Sequence, residues 1–425
     1  MQNLSNQKSS LTLQKIVNSN SMKKIYLLLA SFILSLGTFA QIATITVSNP
    51  EKVQRQEVVE VDIQAVCTIL KCSPNVGLVV KNALNQEVAY QITYDGKLLI
   101  DASVRPSGTA VFTVEQGTPA PMKNFVHGAY HPERVDDIAW ENDRGAYRLY
   151  GPALQASGEQ AFGNDVWVKN TPDLEVDKRY STEHAAAAKI VELRKQGKTK
   201  EAFDLEVATT YHFDHGYGLD CYKVGPSLGC GTPAILDNKS IKYPYCYKEY
   251  KILDNGPLRF TVELTYNPET LGKSTYVEHR LMSLDKGSNF NKQTVWYEGF
   301  TKPYNVCTGI VIHAEEMADL KLAADYVAYA DPTDNPTKQN FQIYTGVVFT
   351  DKVKTELLTN GTNSDTSKGI AGHAVGYKTI KPNDKFTYYF GSAWSKYDVR
   401  NFNEWQARIN TFIGSINQPL TVSVK

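Results

Sequence analysis

Two short segments concentrate side chains that can bind anions or transfer protons. The first, AWENDRGAYRLYGP (residues 139–152), carries Trp140, Asn142, Arg144 and Arg148 among acids and tyrosines. Read as one strand, it places Trp140, Arg144 and Arg148 on the same face, because side chains alternate along a strand. A guanidinium fork matches a carboxylate or a sulfate. The pattern predicts a substrate-binding strand, with ion pairs to acids on other strands as the alternative.

The second segment is TYHFDHGYGLDCYKVGPSLGCGTP, residues 210–233, in which ionisable side chains lie among several glycines. Such loops at the ends of strands often carry the reacting groups of an enzyme. His212, His215 and Tyr217 are predicted to transfer protons, since imidazoles titrate near neutral pH and a phenol acts when nearby cations lower its pKa. Lys223 is a further candidate for binding an anion.

The same loop allows two other interpretations. His212 and His215, with Asp214 or Asp220, form a partial ligand set for a divalent metal such as zinc. No third ligand is fixed by spacing, so no metal and no other cofactor is predicted. The other alternative is that these polar groups only hold the glycine-rich loop in shape.

Histidines elsewhere are weaker candidates. His127 and His131, which precede Arg134, are expected at the rim of a cleft. Three others are interpreted as structural or surface groups: His279, His313 and His373.

The elements that must position these residues are mostly strands. Alternating apolar and polar runs recur with turn residues between them, and no βαβ alternation is present, which predicts a large antiparallel β-sandwich with short helical insertions. Helices are expected over residues 181–208, interrupted at Gly197, and over residues 400–413. Residues 41–125 are predicted to form an N-terminal β-module, packed as one unit with a β-sandwich catalytic region over residues 126–425.

Residues 1–40 read as a leader and signal peptide, with Met22 as the expected start and cleavage near Ala40. The mature protein is therefore expected in the periplasm or outside the cell. Export permits disulfides among the six cysteines, which are expected to be structural, either as disulfides or as buried free thiols. The 45 basic and 45 acidic residues balance, which argues against a nucleic-acid partner, and no later segment is apolar enough for a membrane.

Three segments carry a family resemblance: WENDRGAYRLYGP, GNDVWVKN and YHFDHGYGLDCYKVGPSLGCG. They resemble the hallmark segments of a Bacteroidota family found in polysaccharide-utilisation loci, domain of unknown function 4861. The resemblance implies a galactose-mutarotase-like supersandwich. It is closest to a marine flavobacterial branch associated with ulvan degradation, in which an oligosaccharide dehydratase activity is assigned.

The resemblance implies a lyase that removes water across C4–C5 of a non-reducing-end uronic acid, in oligosaccharides that also contain sulfated rhamnose. In our interpretation, Arg144 and Arg148 neutralise the uronate carboxylate, with Lys223 in reserve. His212 or His215 would form the proton-transfer pair with Tyr217. The alternatives are a polysaccharide lyase, a glycoside hydrolase, a mutarotase or an epimerase on the same scaffold, or a non-catalytic carbohydrate-binding protein.

Overall fold

Strands dominate the structure, a computed structural model that describes residues 41–313, 319–332 and 340–425. The predicted mainly β, antiparallel architecture is confirmed. The predicted leader lies outside the described residues. Within the described ranges, no helix is long and apolar enough to cross a bilayer.

The N-terminal part of the chain forms two small sheets and a short helix. Its elements are β1 (Ile42–Ser48), β2 (Arg55–Asp62), α1 (Ile63–Leu70), β3 (Leu78–Asn82), β4 (Tyr90–Ile92), β5 (Lys97–Val104) and β6 (Thr109–Gln116), joined by the C-terminal strand β26 (Thr421–Val424). The sheet orders are β26-β1-β6-β3 and β2-β5-β4. Helix α1 is not predicted by the sequence pattern; Asp62 caps it by accepting a hydrogen bond from the Gln64 amide at 3.0 Å.

A third sheet contains the first predicted binding segment. Its strands are β7 (His127–His131), β8 (Asp137–Glu141), β9 (Gly145–Leu149), β10 (Asp165–Lys169) and β11 (Gly218–Asp220). The order is β11-β10-β9-β8-β7, and each neighbouring pair is antiparallel.

A second five-stranded sheet and a nine-stranded sheet complete the sandwich. The five-stranded sheet contains, in spatial order, β13 (Ser240–Lys242), β12 (Cys230–Asp237), β19 (Tyr304–Ile312), β24 (Gly372–Ile380) and β23 (Lys354–Leu358). The nine-stranded sheet contains, in spatial order, β14 (Tyr247–Asn255), β15 (Arg259–Tyr266), β17 (Ser274–Asp285), β18 (Phe290–Glu298), β25 (Lys385–Trp394), β22 (Ile343–Phe349), β21 (Tyr326–Asp331) and β20 (Leu320–Leu322), with β16 (Glu269–Leu271) paired to β17.

Four further helices and three 3₁₀ turns connect the strands. They are the helices α2 (Pro152–Ala156), α3 (Val176–Lys195), α4 (Thr199–Thr209) and α5 (Phe402–Asn417), and the turns Pro132–Arg134, Gly361–Asn363 and Thr366–Lys368. Both predicted helical segments are therefore confirmed. Gly197 separates α3 from α4 because it adopts φ +75°, a left-handed conformation that favours glycine.

The two faces of the β7–β11 sheet are both buried, but they differ in chemistry. One face contributes Ile138, Trp140, Tyr147, Leu149 and Val166 to the main hydrophobic core. On the opposite face, small and aromatic residues meet α3 and Tyr211, and the positions between them carry buried charges. Those charged positions are Asp137, Glu141, Arg148, Asp165 and Lys169.

The expected disulfides are absent, because all six cysteines are free thiols. Five of the six are buried and fill space as small apolar side chains. Cys67 and Cys72, the pair close in sequence, lie at the end of α1, where the Cys72 amide donates a hydrogen bond to the Cys67 carbonyl at 3.1 Å.

Candidate functional site

The segment over residues 139–152 is a hairpin rather than one strand. Strand β8 ends at Glu141, a turn follows, and β9 begins at Gly145. Asn142 builds the turn by accepting hydrogen bonds from the amides of Arg144 and Gly145 at 2.8 and 3.1 Å. Its amide group donates to two other backbone carbonyls, and the side chain is fully buried. The predicted substrate contact by Asn142 is therefore wrong, since its polar atoms are already used.

Trp140 faces the hydrophobic core. It is 1% exposed, and its Nε1 donates to the Asn291 side chain at 2.7 Å. Its ring stacks against Tyr147 and Phe260. The predicted substrate contact by Trp140 is wrong, because no face of the ring reaches solvent.

Arg144 and Arg148 do not converge on one anion. Because the turn interrupts the strand, the Arg144 side chain does not meet the residues around Arg148. Its Nη1 instead pairs with Asp398 at 2.5 Å. Arg408 shares the same carboxylate at 3.2 Å. The predicted paired clamp is therefore wrong in its geometry.

Arg148 lies at the centre of a buried cluster, which we name the arginine cluster: Arg148, Asp137, Tyr150, Asp165 and Asp220. Its Nη2 donates to Asp165, to Asp220 at 2.9 Å and to the Tyr150 hydroxyl at 3.1 Å. Its Nη1 lies 3.8 Å from Asp137. The Arg148 side chain is 4% exposed, and these buried carboxylates balance its positive charge.

The arginine cluster holds three carboxylates around one guanidinium. Burial, and next the negative charge of Asp220, raise the pKa of Asp165 to about 7, against the lowering influence of Arg148. Burial raises the pKa of Asp137 to about 6, although Arg148 and Arg134 lower it. Two buried carboxyl groups therefore exchange protons close to neutral pH, which is the range that acid–base chemistry uses.

The second predicted segment runs from a surface loop, residues 210–217, into β11 and the start of β12, which are buried. The loop lies between α4 and β11. Asp214 stabilises it, since this carboxylate accepts hydrogen bonds from the amides of Gly216 and Gly218 at 2.8 and 2.9 Å and pairs with Lys396. Gly218 has φ +108°, and a Cβ there would meet the Val168 carbonyl at 2.0 Å. These contacts support the structural interpretation for Asp214.

His212 is the predicted residue that the fold brings to the arginine cluster. Its side chain is 55% exposed. Its Nδ1 lies 3.1 Å from the Asp220 carbonyl oxygen and 3.7 Å from the Asp220 carboxylate. Asp220 therefore links an exposed imidazole to the buried Arg148.

His215 and Tyr217 form a separate group at the far end of the loop. The ring centroids are 6.1 Å apart, and His215 Nε2 lies 2.9 Å from the Thr210 carbonyl. Lys178 and Arg179 lie over the Tyr217 ring at 4.5 and 5.3 Å. Two cationic side chains therefore lie against the Tyr217 ring.

Arg134, which was not among the predicted substrate-binding arginines, shares a neighbour with His212. Its Nε donates to the Tyr211 hydroxyl at 2.9 Å, and the His212 ring lies against the Tyr211 ring at 4.6 Å. Trp167 supports Tyr211 from the other side by stacking at 4.6 Å. Arg134 is half-buried, and the described residues provide no acid within ion-pair distance of it. An arginine directly after a strand, beside two histidines, was the available signal.

The other histidines and Lys223 have clear positions. His127 pairs with Asp177 at 3.0 Å and His131 approaches the same carboxylate at 3.6 Å, so both hold the start of α3. Burial lowers the pKa of His373 to about 4, which keeps it neutral. Lys223 is exposed. Across the described ranges, no group of three or more His, Cys, Asp or Glu side chains is arranged to hold a metal ion.

Comparison with known proteins identifies similarity over most of the chain. A family model described as Domain of unknown function (DUF4861) matches residues 47–422. An uncharacterized protein P7 of Formosa agariphila is 25% identical over 345 residues, covering 77% of this chain and 78% of that protein.

Two solved structures from Enterococcus faecalis also align with this chain, each at 9% sequence identity. An α-mannosidase gives a TM-score of 0.47 and covers 91% of this chain and 46% of its own. A protein in glycosyl hydrolase family 38 gives a TM-score of 0.46 and covers 91% and 47%. This chain spans just under half the length of each.

Proposed function

We propose that this chain, which belongs to the family described as Domain of unknown function (DUF4861), is a carbohydrate-active lyase. The proposed reaction removes water across C4–C5 of a non-reducing-end uronic acid in ulvan-type oligosaccharides and gives an unsaturated uronate. The likeness of three sequence segments to a family of polysaccharide-utilisation loci supports the substrate class. The proposal places the enzyme in the periplasm or outside the cell, with an oligosaccharide as its partner.

One observation supports this chemistry most strongly: Arg134 and His212 both contact Tyr211. A uronate carboxylate paired with the Arg134 guanidinium would lie beside the exposed imidazole. The C5 proton is weakly acidic because the adjacent carboxylate already carries charge. A cation on that carboxylate stabilises the enolate-like transition state, in which negative charge builds on its oxygens.

The proposed steps use only side chains of this chain. Neutral His212 takes the C5 proton, the released electron pair forms the C4=C5 bond, and the C4–O bond breaks. The departing hydroxide takes a proton from an acid, for which sequence reasoning offers Tyr217, and leaves as water. Asp220 orients the His212 ring and stabilises the imidazolium that forms. Arg134 replaces Arg144 and Arg148 in the role of carboxylate partner.

The direct test is incubation of the mature protein with saturated uronyl-rhamnose oligosaccharides. The expected products show a conjugated ultraviolet chromophore and a mass lower by one water. An unchanged mass would identify an isomerase and a gain of one water a hydrolase. Binding without any product would identify a carbohydrate-binding protein.

A matched pair of variants tests the carboxylate partner. Arg134→Gln is expected to lower kcat/KM by about 100-fold or more, the usual effect of removing one electrostatic contact to a developing anion. Arg144→Gln serves as control, because Arg144 pairs with Asp398 outside the arginine cluster, and it should keep wild-type activity. Equal activity in both variants would remove Arg134 from the proposal.

A further inference from the structure

A histidine–carboxylate pair lies at the ends of two strands, close to the arginine cluster. His313 directly follows β19, and Asp331 is the last residue of β21. His313 Nδ1 lies 2.8 Å from the Asp331 carboxylate, and the two side chains are 8% and 0% exposed. Although burial is the largest influence and lowers the pKa of His313, the charge and hydrogen bond of Asp331 raise it above its ordinary value. The pair therefore favours a protonated imidazole.

Tyr222 connects this pair to the arginine cluster. It follows Asp220 by two residues, and its ring stands nearly perpendicular to the His313 ring, with centroids 5.8 Å apart. Burial first, and then the charges of Asp331 and Asp165, raise its pKa, so the phenol holds its proton. The Tyr222 ring thus lies within electrostatic reach of carboxylates from both groups.

Two buried polar atoms of this group lack a hydrogen-bond partner among the described residues. Neither the Tyr222 hydroxyl nor His313 Nε2, which is near the Lys223 backbone, has a well-formed hydrogen bond to the described residues, and both atoms are buried. Burying a polar group without a hydrogen-bond partner destabilises the folded state, so phenylalanine would suit a purely structural position better. Such groups call for an explanation, and a role in proton transfer is one.

We infer that Tyr222, with His313 and Asp331 behind it, is a second proton-transfer unit that delivers a proton to the departing C4 hydroxide. This inference rests on the proposed function and gives Tyr222 the acid role that the proposed steps gave to Tyr217. As the C4–O bond breaks, the hydroxide takes the phenolic proton, directly or across one water, and leaves as water. The His313 imidazolium neutralises the phenolate and returns a proton to it. Solvent then removes the proton that His212 took from C5 and restores that of His313.

Tyr222→Phe is the sharpest test, because it removes a single hydroxyl that has no hydrogen bond to lose. The variant should unfold at the same temperature as the wild type or higher, while kcat falls by about 100-fold or more and KM changes by less than about 2-fold. Tyr297→Phe is the matched control. It alters another buried phenol, on β18 directly opposite Glu278 of β17, and should keep wild-type kcat.

A second variant separates structure from chemistry at the histidine. His313→Gln retains a hydrogen-bonding group beside Asp331 but cannot carry a proton, so it should lower kcat by at least about 10-fold in folded protein. If the wild type is active and Tyr222→Phe keeps full kcat, the inference is overturned while the proposed function stands. Equal losses in Tyr222→Phe and Tyr297→Phe would also overturn it. A wild type that forms no dehydrated product would instead refute the proposed function.

Discussion

Two buried arginines, Arg148 and Arg280, have similar burial but different surroundings. Arg280 lies on β17 within the sandwich and is fully buried. Its Nε donates to Glu278 at 2.6 Å, and its guanidinium lies 4.0 Å from the centroid of the Tyr266 ring. Arg148 is 4% exposed but is surrounded by three carboxylates, of which Asp220 also contacts an exposed histidine.

The difference shows what separates a structural ion pair from a candidate site. One acid balances Arg280, and the pair is closed off from solvent. Around Arg148 the acids outnumber the guanidinium, so burial holds protons on carboxyl groups near neutral pH. The contact of Asp220 with His212 then connects these groups to the surface. A buried charged group is therefore a candidate for function when titratable side chains, here Asp220 and His212, connect it to solvent.

The largest loss of activity is expected from a substitution at His212, which connects the arginine cluster to solvent. His212→Gln should lower kcat by about 10²–10⁴-fold, because glutamine cannot accept the C5 proton, and such losses are typical when a general base is removed. Thermal unfolding should change little, since the side chain is more than half exposed. Activity on uronyl oligosaccharides and the melting temperature provide the two measurements.

The matched control for this substitution lies beside Arg280. His279→Gln alters a mostly buried histidine that stacks on Trp296 at 5.2 Å, next to Arg280 in sequence. It should retain wild-type kcat. If both glutamine variants lost activity equally, the contrast between the two arginine neighbourhoods would fail.

Removing the arginines themselves should produce the next largest effect. Arg148→Met and Arg280→Met are each expected to lower the free energy of unfolding by about 3–5 kcal/mol, because each leaves buried carboxylates without their partner. Only Arg148→Met should also lower kcat/KM per folded molecule, since it disturbs the Asp220 contact to His212. Urea unfolding combined with activity of the folded fraction separates the two effects. Equal activity in both variants would make Arg148 purely structural.

Local patterns predicted the regular elements well. The alanine-rich run and Gly197 gave the two helices α3 and α4, and residues 402–417 form the predicted C-terminal helix. The hairpin over residues 139–152 was missed because strand alternation was carried through Asn142 and Asp143. Both residue types favour turns, and the turn moves Arg144 out of register with Arg148.

The composition of the site depended on contacts between distant residues. Arg148 meets Asp165 and Asp220, which lie 17 and 72 residues away in sequence, and Arg144 meets Asp398, 254 residues away. No local spacing shows these partners, so an arginine pair could not be distinguished from two separate ion pairs. His212 could be predicted because a glycine-rich loop is recognisable from its local sequence. His313 follows an ordinary strand, and no local pattern distinguishes it from a structural histidine.

The smallest effect is expected from a substitution that tests whether the arginine cluster holds more carboxyl groups than Arg148 can keep ionised. Because the pKa of Asp165 is raised to about 7, the folded state binds this proton more tightly than the unfolded chain, in which an aspartate titrates near 3.9. The resulting stabilisation is complete below the unfolded pKa and is lost as pH rises through the folded pKa. Asp165→Asn removes this titration, so the melting temperature of the wild type relative to the variant should fall by about 2 °C or more between pH 5 and pH 8. Asp398→Asn, which alters the partner of Arg144, should keep the wild-type pH slope. A parallel pH dependence in wild type and Asp165→Asn would mean that Arg148 holds its acids fully ionised, as a closed structural pair does.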